Sequence, residues 1–343
     1  MFAGHPNSGR PPAPATRYEI VLNKYFAKGS LTCLKRDVIQ RRISGEFPLM
    51  LNIEPTNACN SRCRHCPREL NVEKHGVHFM KMDLYRKIID QIAPRRLLML
   101  NYHKDGEPLL HRRLPDMIAY AKEKACAEIL HLNTNGILLD TDVGRGIIAA
   151  GVDDVTVSID AASEASYRKL KRVPGLERVE AGVREVIAYR DRIGAQTVIR
   201  VKIMAGKDID PAEIDEFRNR WTGIADQVQV TGMHNWGGAL EAVAVTDCQS
   251  RVRNPCALLW YLMAVNSNGL VSKCNYDWNY SGVLGDIRQQ SLRAIWRSPA
   301  ARRGRQAHLQ GHWDYNEVCA GCVAWVVFGD LATILADREE FLS

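Results

Sequence analysis

Short apolar runs recur along the first two thirds of the chain, each followed by a longer stretch whose apolar positions return every three or four residues. The runs read as strands buried on both faces and the stretches as amphipathic helices. The first run, Phe47-Pro48-Leu49-Met50-Leu51-Asn52-Ile53, predicts a strand over 48–54. Further strands are predicted over 96–102, 127–133, 152–159, 196–204 and 228–232. Helices are predicted over 83–92, with Asp83 as its cap, and over 114–124, 140–150, 163–170, 176–192 and 211–221. Strands alternating with helices give βα units and a parallel sheet. The count is six units, two short of a full eight-unit barrel.

The same rhythm divides the chain. Met1 to Arg17, rich in Pro, Gly and Ser, reads as a disordered lead-in, and 18–47 as a helical extension with one or two helices over Tyr18 to Arg42. The barrel is expected over 48–238. After Gly237-Gly238 the alternation stops. Residues 239–255 read as a linker, 256–325 as a separate small domain bearing Cys and Trp, and 326–343 as a terminal helix.

Composition adds little to this picture. The 343 residues are 46% hydrophobic and 25% charged, an ordinary globular balance with room for one large domain and a small one. No run of about 18 apolar residues suggests a membrane span, and the N-terminus lacks the apolar core of a secretory signal. A cytoplasmic protein is expected. The net charge is +7, and Arg293 to Arg305 holds five arginines. That excess suits a solvated helix face, an anionic substrate or an acidic redox donor. Nucleic-acid binding would need a recognisable module, and none is expected here.

The cysteines change the reading. Three fall within eight residues, Cys59-Asn60-Ser61-Arg62-Cys63-Arg64-His65-Cys66, directly after the first strand. A loop so spaced can wrap one iron–sulfur cluster with several thiolates. Three ligands on a four-iron cube leave one iron open to a small molecule, whereas structural zinc wants a closed set of four. A second set, Cys256, Cys274, Cys319 and Cys322, combines a hairpin-like run turning at Asn268-Gly269 with a CxxC knuckle. Four thiolates make a closed site, as in a zinc ribbon or a fully ligated iron–sulfur cluster. Clustering of this kind favours metal over disulfides; Cys33, Cys126 and Cys248 read as core residues.

Cys59, Cys63 and Cys66, with His65 before the third, resemble the signature of radical S-adenosylmethionine (SAM) enzymes. The resemblance implies a partial (β/α)6 TIM-like barrel and SAM chelated to the open iron of a 4Fe–4S cluster. It also implies reductive cleavage of SAM to a 5′-deoxyadenosyl radical that abstracts hydrogen from an unactivated carbon. Lys104-Asp105-Gly106-Glu107-Pro108 follows the second strand and is similar to the family's motif for the SAM amine, with Asp105 where a glycine is commoner. The resemblance places Asn135, in the Asn-Gly turn after strand three, and Ser158 and Asp160, at the end of strand four, beside SAM. Ile203 is expected over the adenine or in the core, and His65 on the adenine.

The second set, with Gly285-Asp286-Ile287 and Ile295-Trp296, resembles the SPASM/twitch auxiliary domain in its shortened form, since no cysteine follows Cys322. One auxiliary 4Fe–4S cluster is implied. Its spacing is similar to the branch that oxidises aminocyclitols, the 2-deoxy-scyllo-inosamine dehydrogenases, and to tailoring enzymes of sugar and nucleoside antibiotics. The expected reaction is dehydrogenation of a sugar or aminocyclitol, with the auxiliary cluster accepting an electron. Redox-neutral decarboxylation or dehydration, peptide modification, and a non-enzymatic metal-binding module are the alternatives. An external flavodoxin- or ferredoxin-type donor is expected. Candidates for the base that takes the carbinol proton are His103, Lys104, His234 and Asp277; Trp236 is a candidate floor for a sugar.

Overall fold

A computed structural model describes residues 35–206, 209–240, 253–325 and 341. The expected lead-in, most of the expected N-terminal helices, the linker over 241–252 and the terminal helix apart from Phe341 lie outside these residues.

The chain enters through helix α1 (Arg36–Arg42) and strand β1 (Met50–Ile53). Helices α2 (Arg68–His75) and α3 (Met82–Ile92) follow, then β2 (Leu97–Tyr102), α4 (Leu114–Glu123) and β3 (Ala127–Thr134). The rhythm continues through α5 (Asp142–Ala149), β4 (Asp154–Ser158), α6 (Glu164–Lys171) and α7 (Leu176–Arg192). It ends with β5 (Val198–Ala205), α8 (Pro211–Trp221) and β6 (Gln227–Gly232). All pairings from β1 to β6 are parallel, as the six-unit expectation requires. Two local expectations shift. Lys81, not Asp83, precedes the first turn of α3, and α2 occupies sequence expected to be loop.

The C-terminal part comprises α9 (Leu258–Tyr261), β7 (Leu262–Val265), β8 (Leu270–Ser272) and β9 (Val283–Asp286). Helices α10 (Leu292–Trp296), α11 (Pro299–Leu309) and α12 (Glu317–Gly321) complete it. The expected hairpin is present, turning through Gly269 at φ 91°. It joins the barrel sheet. Strand β7 pairs in parallel with β1, in the register Met50 with Leu262 through Ile53 with Val265. One nine-stranded sheet results, ordered β6-β5-β4-β3-β2-β1-β7-β8-β9. A partial barrel leaves the edge of β1 unpaired, and β7 supplies the missing hydrogen bonds.

Strand residues alternate between two environments. Leu98, Leu100 and Tyr102 of β2 and Ile199, Val201 and Ile203 of β5 lie in the apolar core. On the helix side, the Tyr85 hydroxyl of α3 meets that of Tyr102 at 2.6 Å and donates to the Met117 carbonyl at 2.7 Å. The opposite, barrel-lining face carries Met50, Met99 and Ile129 and then a polar layer toward the C-terminal strand ends: Asn52, Asn101, His131, Asp154 and Arg200. His131 Nδ1–H donates to Asp154 at 2.8 Å, so its Nε2 accepts from the Asn133 amide at 2.8 Å. Arg200 pairs with the other Asp154 oxygen. Buried charges persist only with such partners, and this network fills what is usually an apolar barrel interior.

Candidate functional site

The cysteine loop leaves β1 and is clamped at its entry. The Asn57 side chain donates to Asn71 at 3.2 Å and to the Gly76 carbonyl at 2.8 Å, and accepts from His78 N–H at 2.7 Å. Helix α2 therefore anchors the loop. Farther on, Arg62 and Arg64 N–H donate to the Lys171 and Leu170 carbonyls at the end of α6. The Ser61 hydroxyl lies between the Cys59 and Cys63 sulfurs, 3.4 and 3.3 Å away. Cys59, Cys63 and Cys66 are all free thiols, and burial pushes those of Cys59 and Cys66 up. Only thiolates ligate metal, so a bound cluster would itself hold these sulfurs deprotonated. Three unpaired thiols on one pinned loop fit a cluster with an open iron.

The residues expected around SAM line the same end of the sheet. Gly106 passes so close to the cysteine loop that a Cβ would stand 2.1 Å from the Thr56 carbonyl oxygen and 2.6 Å from that of Ala58. Glu107 N–H donates to the Ala58 carbonyl at 2.7 Å. The Glu107 carboxylate is internal: it accepts from Thr134 Oγ1 and Asn135 N–H at 2.7 Å each and from Leu109 N–H at 3.1 Å. It ties the second and third strand loops together. Pro108 is buried behind it. Asn135 reaches the cysteine loop, donating to Asn60 at 2.7 Å and approaching Cys59 Sγ at 3.8 Å. Ser158 ends β4, half-buried. Asp160 stands at φ 62°, with Oδ2 on Lys171 Nζ at 2.6 Å and Oδ1 buried without a hydrogen-bond partner among the described residues. Such a backbone and such an orphaned oxygen fit the place beside SAM expected for Asp160. His65 lies on the loop, its carbonyl accepting from Trp236 Nε1 at 2.8 Å. Ile203 takes the second of its two expected placements, fully buried in the core on the face it shares with Ile199 and Val201.

Gly106→Ala is expected to cost about 1–3 kcal/mol of steric strain. Because the new Cβ would meet backbone of the cysteine loop rather than a movable side chain, the loss should reach SAM affinity. Calorimetric titration of reconstituted protein with SAM checks this, and an unchanged affinity would show that the close approach is dispensable.

The four C-terminal thiols converge. The thiol of Cys256 is pushed up by burial and then by the charges of Cys322, Cys274 and Cys319; that of Cys274 is pushed by burial to about 12. Cys256 N–H donates to His308 Nδ1 at 3.1 Å, and Ala324 N–H to Cys322 Sγ at 3.4 Å. Asn316 caps α12 by accepting from Val318 and Cys319 N–H, and receives Lys273 Nζ at 2.7 Å. Arg253 grips the Ala320 and Cys319 carbonyls. Among the described residues no three His, Cys, Asp or Glu close tightly enough to hold a lone metal ion. Four free, mutually facing thiols fit a cluster ligated by protein alone.

The candidate bases separate into two pairs. Lys104 is fully buried in an ion pair with Asp105, donates to the Asp277 carbonyl at 3.3 Å and lies 4.9 Å from the centre of the Tyr280 ring. Asp277 accepts from Ser281 and Gly282 N–H at 2.9 Å and faces Lys273 at 3.6 Å. Glu54 completes this seam, accepting from Ser267 Oγ at 2.7 Å and Asp105 N–H at 3.2 Å. Burial pulls the Lys104 ammonium down, but Asp105 and Glu54 more than offset it; burial lifts the Asp105 carboxyl. Lys104 and Asp277 thus join barrel to C-terminal unit. His103 and His234 sit instead at the strand ends, half-buried. Burial, then Lys202, holds His103 at about 3 and His234 at about 4, so both are neutral at pH 7. Lys202 is the residue that sequence reasoning missed. Its signal is Arg200 and Lys202 alternating within an otherwise apolar strand, on the barrel-lining face.

Comparison with known proteins bears on both thiol sets. The model of the Radical SAM superfamily matches residues 53–218, and that of SPASM, an iron–sulfur cluster-binding domain, matches 256–323. A probable GTP 3′,8-cyclase of Methanococcus maripaludis is 33% identical over 38% of this chain and 43% of its own length. This chain thus spans less than half of that relative. The SAM-dependent 2-deoxy-scyllo-inosamine dehydrogenase of Niallia circulans is 21% identical over 80% of this chain and 92% of its own. The crystal structure of BtrN with AdoMet and 2-DOIA superposes at TM-score 0.55 and 19% identity, covering 81% of this chain and 93% of that one. Streptococcus suis SuiB bound to precursor peptide SuiA gives 0.61 at 13%, covering 87% and 74%. Both structural likenesses concern the fold.

Proposed function

The chain belongs to the Radical SAM superfamily and carries an iron–sulfur cluster-binding SPASM domain, and on that premise we propose that it oxidises a carbinol carbon of a sugar or cyclitol. When bound, the three-thiolate cluster with SAM supplies hydrogen-atom abstraction, and the four-thiolate cluster supplies an electron acceptor. The observation that carries this reading is the β1–β7 ladder. The three-thiol loop leaves the C-terminal end of β1, and Cys256 precedes the N-terminal end of its parallel neighbour β7, so the two thiol sets are anchored to adjoining strands of one sheet, at opposite ends of the ladder.

The chain's own residues do the rest. The Gly106 to Pro108 segment and Asn135 hold SAM against the cysteine loop, and Ser158 and Asp160 face its polar groups. Removing a hydrogen atom from a carbinol leaves a proton to be taken from oxygen. His103 or His234, neutral because burial and Lys202 disfavour the imidazolium, offers the lone pair. Trp236 presents an apolar wall for the sugar ring. A flavodoxin- or ferredoxin-type donor in the cytoplasm provides the starting electron, and the positive net charge suits an acidic partner. No described helix is long and apolar enough to cross a membrane.

Anaerobically reconstituted protein is expected to hold about eight irons per chain and to form 5′-deoxyadenosine from SAM and dithionite. With a sugar deuterated at the reacting carbon, the label should appear in 5′-deoxyadenosine, with one electron returned per turnover. Label transfer without electron return would replace oxidation by decarboxylation or dehydration. Absence of 5′-deoxyadenosine would remove the enzymatic reading.

A further inference from the structure

Three strand ends bring Lys202, His103 and His234 to the mouth of the barrel. Lys202 lies on β5 between Ser158 of β4 and Gln229 of β6. Among the described residues its ammonium makes no hydrogen bond and no close ion pair; the one carboxylate acting on it, Asp160, already holds Lys171 at 2.6 Å. His103 follows the last residue of β2. The charged and titratable neighbours acting on it most strongly are Lys202, His131, His234 and Lys104. His234 follows β6, and its buried Nδ1 has no hydrogen-bond partner among the described residues. An unpaired cation and unused imidazole nitrogens are costly to bury unless a ligand completes them.

An aromatic wall adjoins this group. The His234 ring meets Trp236 edge-on at 4.5 Å and Tyr276 at 4.6 Å. Trp236 is held at φ 49°, a backbone conformation that bulky residues rarely adopt, while its indole N–H donates to the His65 carbonyl. Strain of this kind persists where the surroundings over-determine it. Here it keeps the indole between the cysteine loop and Tyr276, two residues beyond Cys274.

We propose that this mouth takes an anionic sugar, with Lys202 and the N–H groups of the His103 and His234 rings holding a phosphate or carboxylate group, the second nitrogen of one ring remaining the base, while the Trp236–Tyr276 wall packs on the ring carbons. The inference rests on the radical SAM reading and narrows its substrate class. An amino sugar would place its ammonium against Lys202, where like charges repel, and the one carboxylate acting there, Asp160, is already paired with Lys171 and assigned to SAM. An oxoanion meets a cation and imidazole N–H donors, the stronger class of hydrogen bond.

The test uses SAM-loaded, anaerobically reconstituted holoenzyme and calorimetric titration with glucose 6-phosphate, glucuronate, glucose and glucosamine. At least one anionic probe is expected to bind about tenfold or more tighter than glucose, and glucosamine weakest; one factor of ten corresponds to the loss of a single charge-assisted contact. The better of the two anions identifies phosphate or carboxylate as the recognised group. K202M should lose the anionic preference while keeping its affinity for SAM, and K202R should restore it. Glucosamine binding tightest, or neither anion exceeding glucose, overturns the proposal. Loss of SAM affinity in K202M overturns it too, assigning the lysine to the cofactor. Failure of the underlying radical SAM reading shows separately, as absence of 5′-deoxyadenosine with dithionite.

Discussion

Cys63→Ala is expected to abolish 5′-deoxyadenosine formation and to lower iron from about eight to about four per chain. The Cys63 sulfur lies 3.3 Å from the Ser61 hydroxyl, on a loop pinned by Asn57 and by the end of α6. No other cysteine lies on that loop to replace it, since Cys59 and Cys66 are already committed. Cys319→Ala should give the complementary result, with a similar loss of iron but SAM affinity retained, because its sulfur belongs to the α12 knuckle and touches Tyr315. Iron assay, visible absorbance and SAM titration of the two variants separate the sites. If Cys319→Ala also lost SAM binding, the division into two independent centres would be wrong.

Lys104→Met is expected to destabilise the protein by about 3–5 kcal/mol, the usual cost of removing one partner from a buried ion pair. The Lys104 and Asp105 side chains are 0% and 2% exposed, so no solvent compensates the abandoned carboxylate. Glu54, which accepts from Asp105 N–H, adds a second negative charge nearby. The double variant K104M/D105G, which installs glycine where Asp105 stands, should recover most of the loss, because removing both partners leaves no buried charge. Thermal or denaturant unfolding of both variants and of D105G closes a double-mutant cycle. A K104M protein as stable as the parent would show that the seam between barrel and C-terminal unit does not depend on this pair.

The βα rhythm was legible because buried parallel strands read as apolar runs separated by amphipathic helices. Helix α2 was not legible: its sequence, Arg68-Glu69-Leu70-Asn71-Val72-Glu73-Lys74-His75, is mostly polar and is fixed by Asn57 and Trp278, the latter 207 residues away in the chain. The same distance hid the β1–β7 pairing, since nothing in either strand announces a partner so remote. Cluster ligands were readable because their chemistry is written in local spacing. Lys104 and Asp277, by contrast, looked like candidate bases because their exposed or buried character depends on contacts 173 residues apart. Lys202 was overlooked for the opposite reason. A lysine inside a strand resembles an edge residue until the sheet order shows β5 between β4 and β6, with its polar face turned inward.

The ladder between Met50–Ile53 and Leu262–Val265 has a mechanical consequence. Two redox centres carried on hinged lobes would drift apart and together, and tunnelling between them would rise and fall with that breathing. Here main-chain hydrogen bonds make the strands that carry the two thiol sets neighbours in a single sheet.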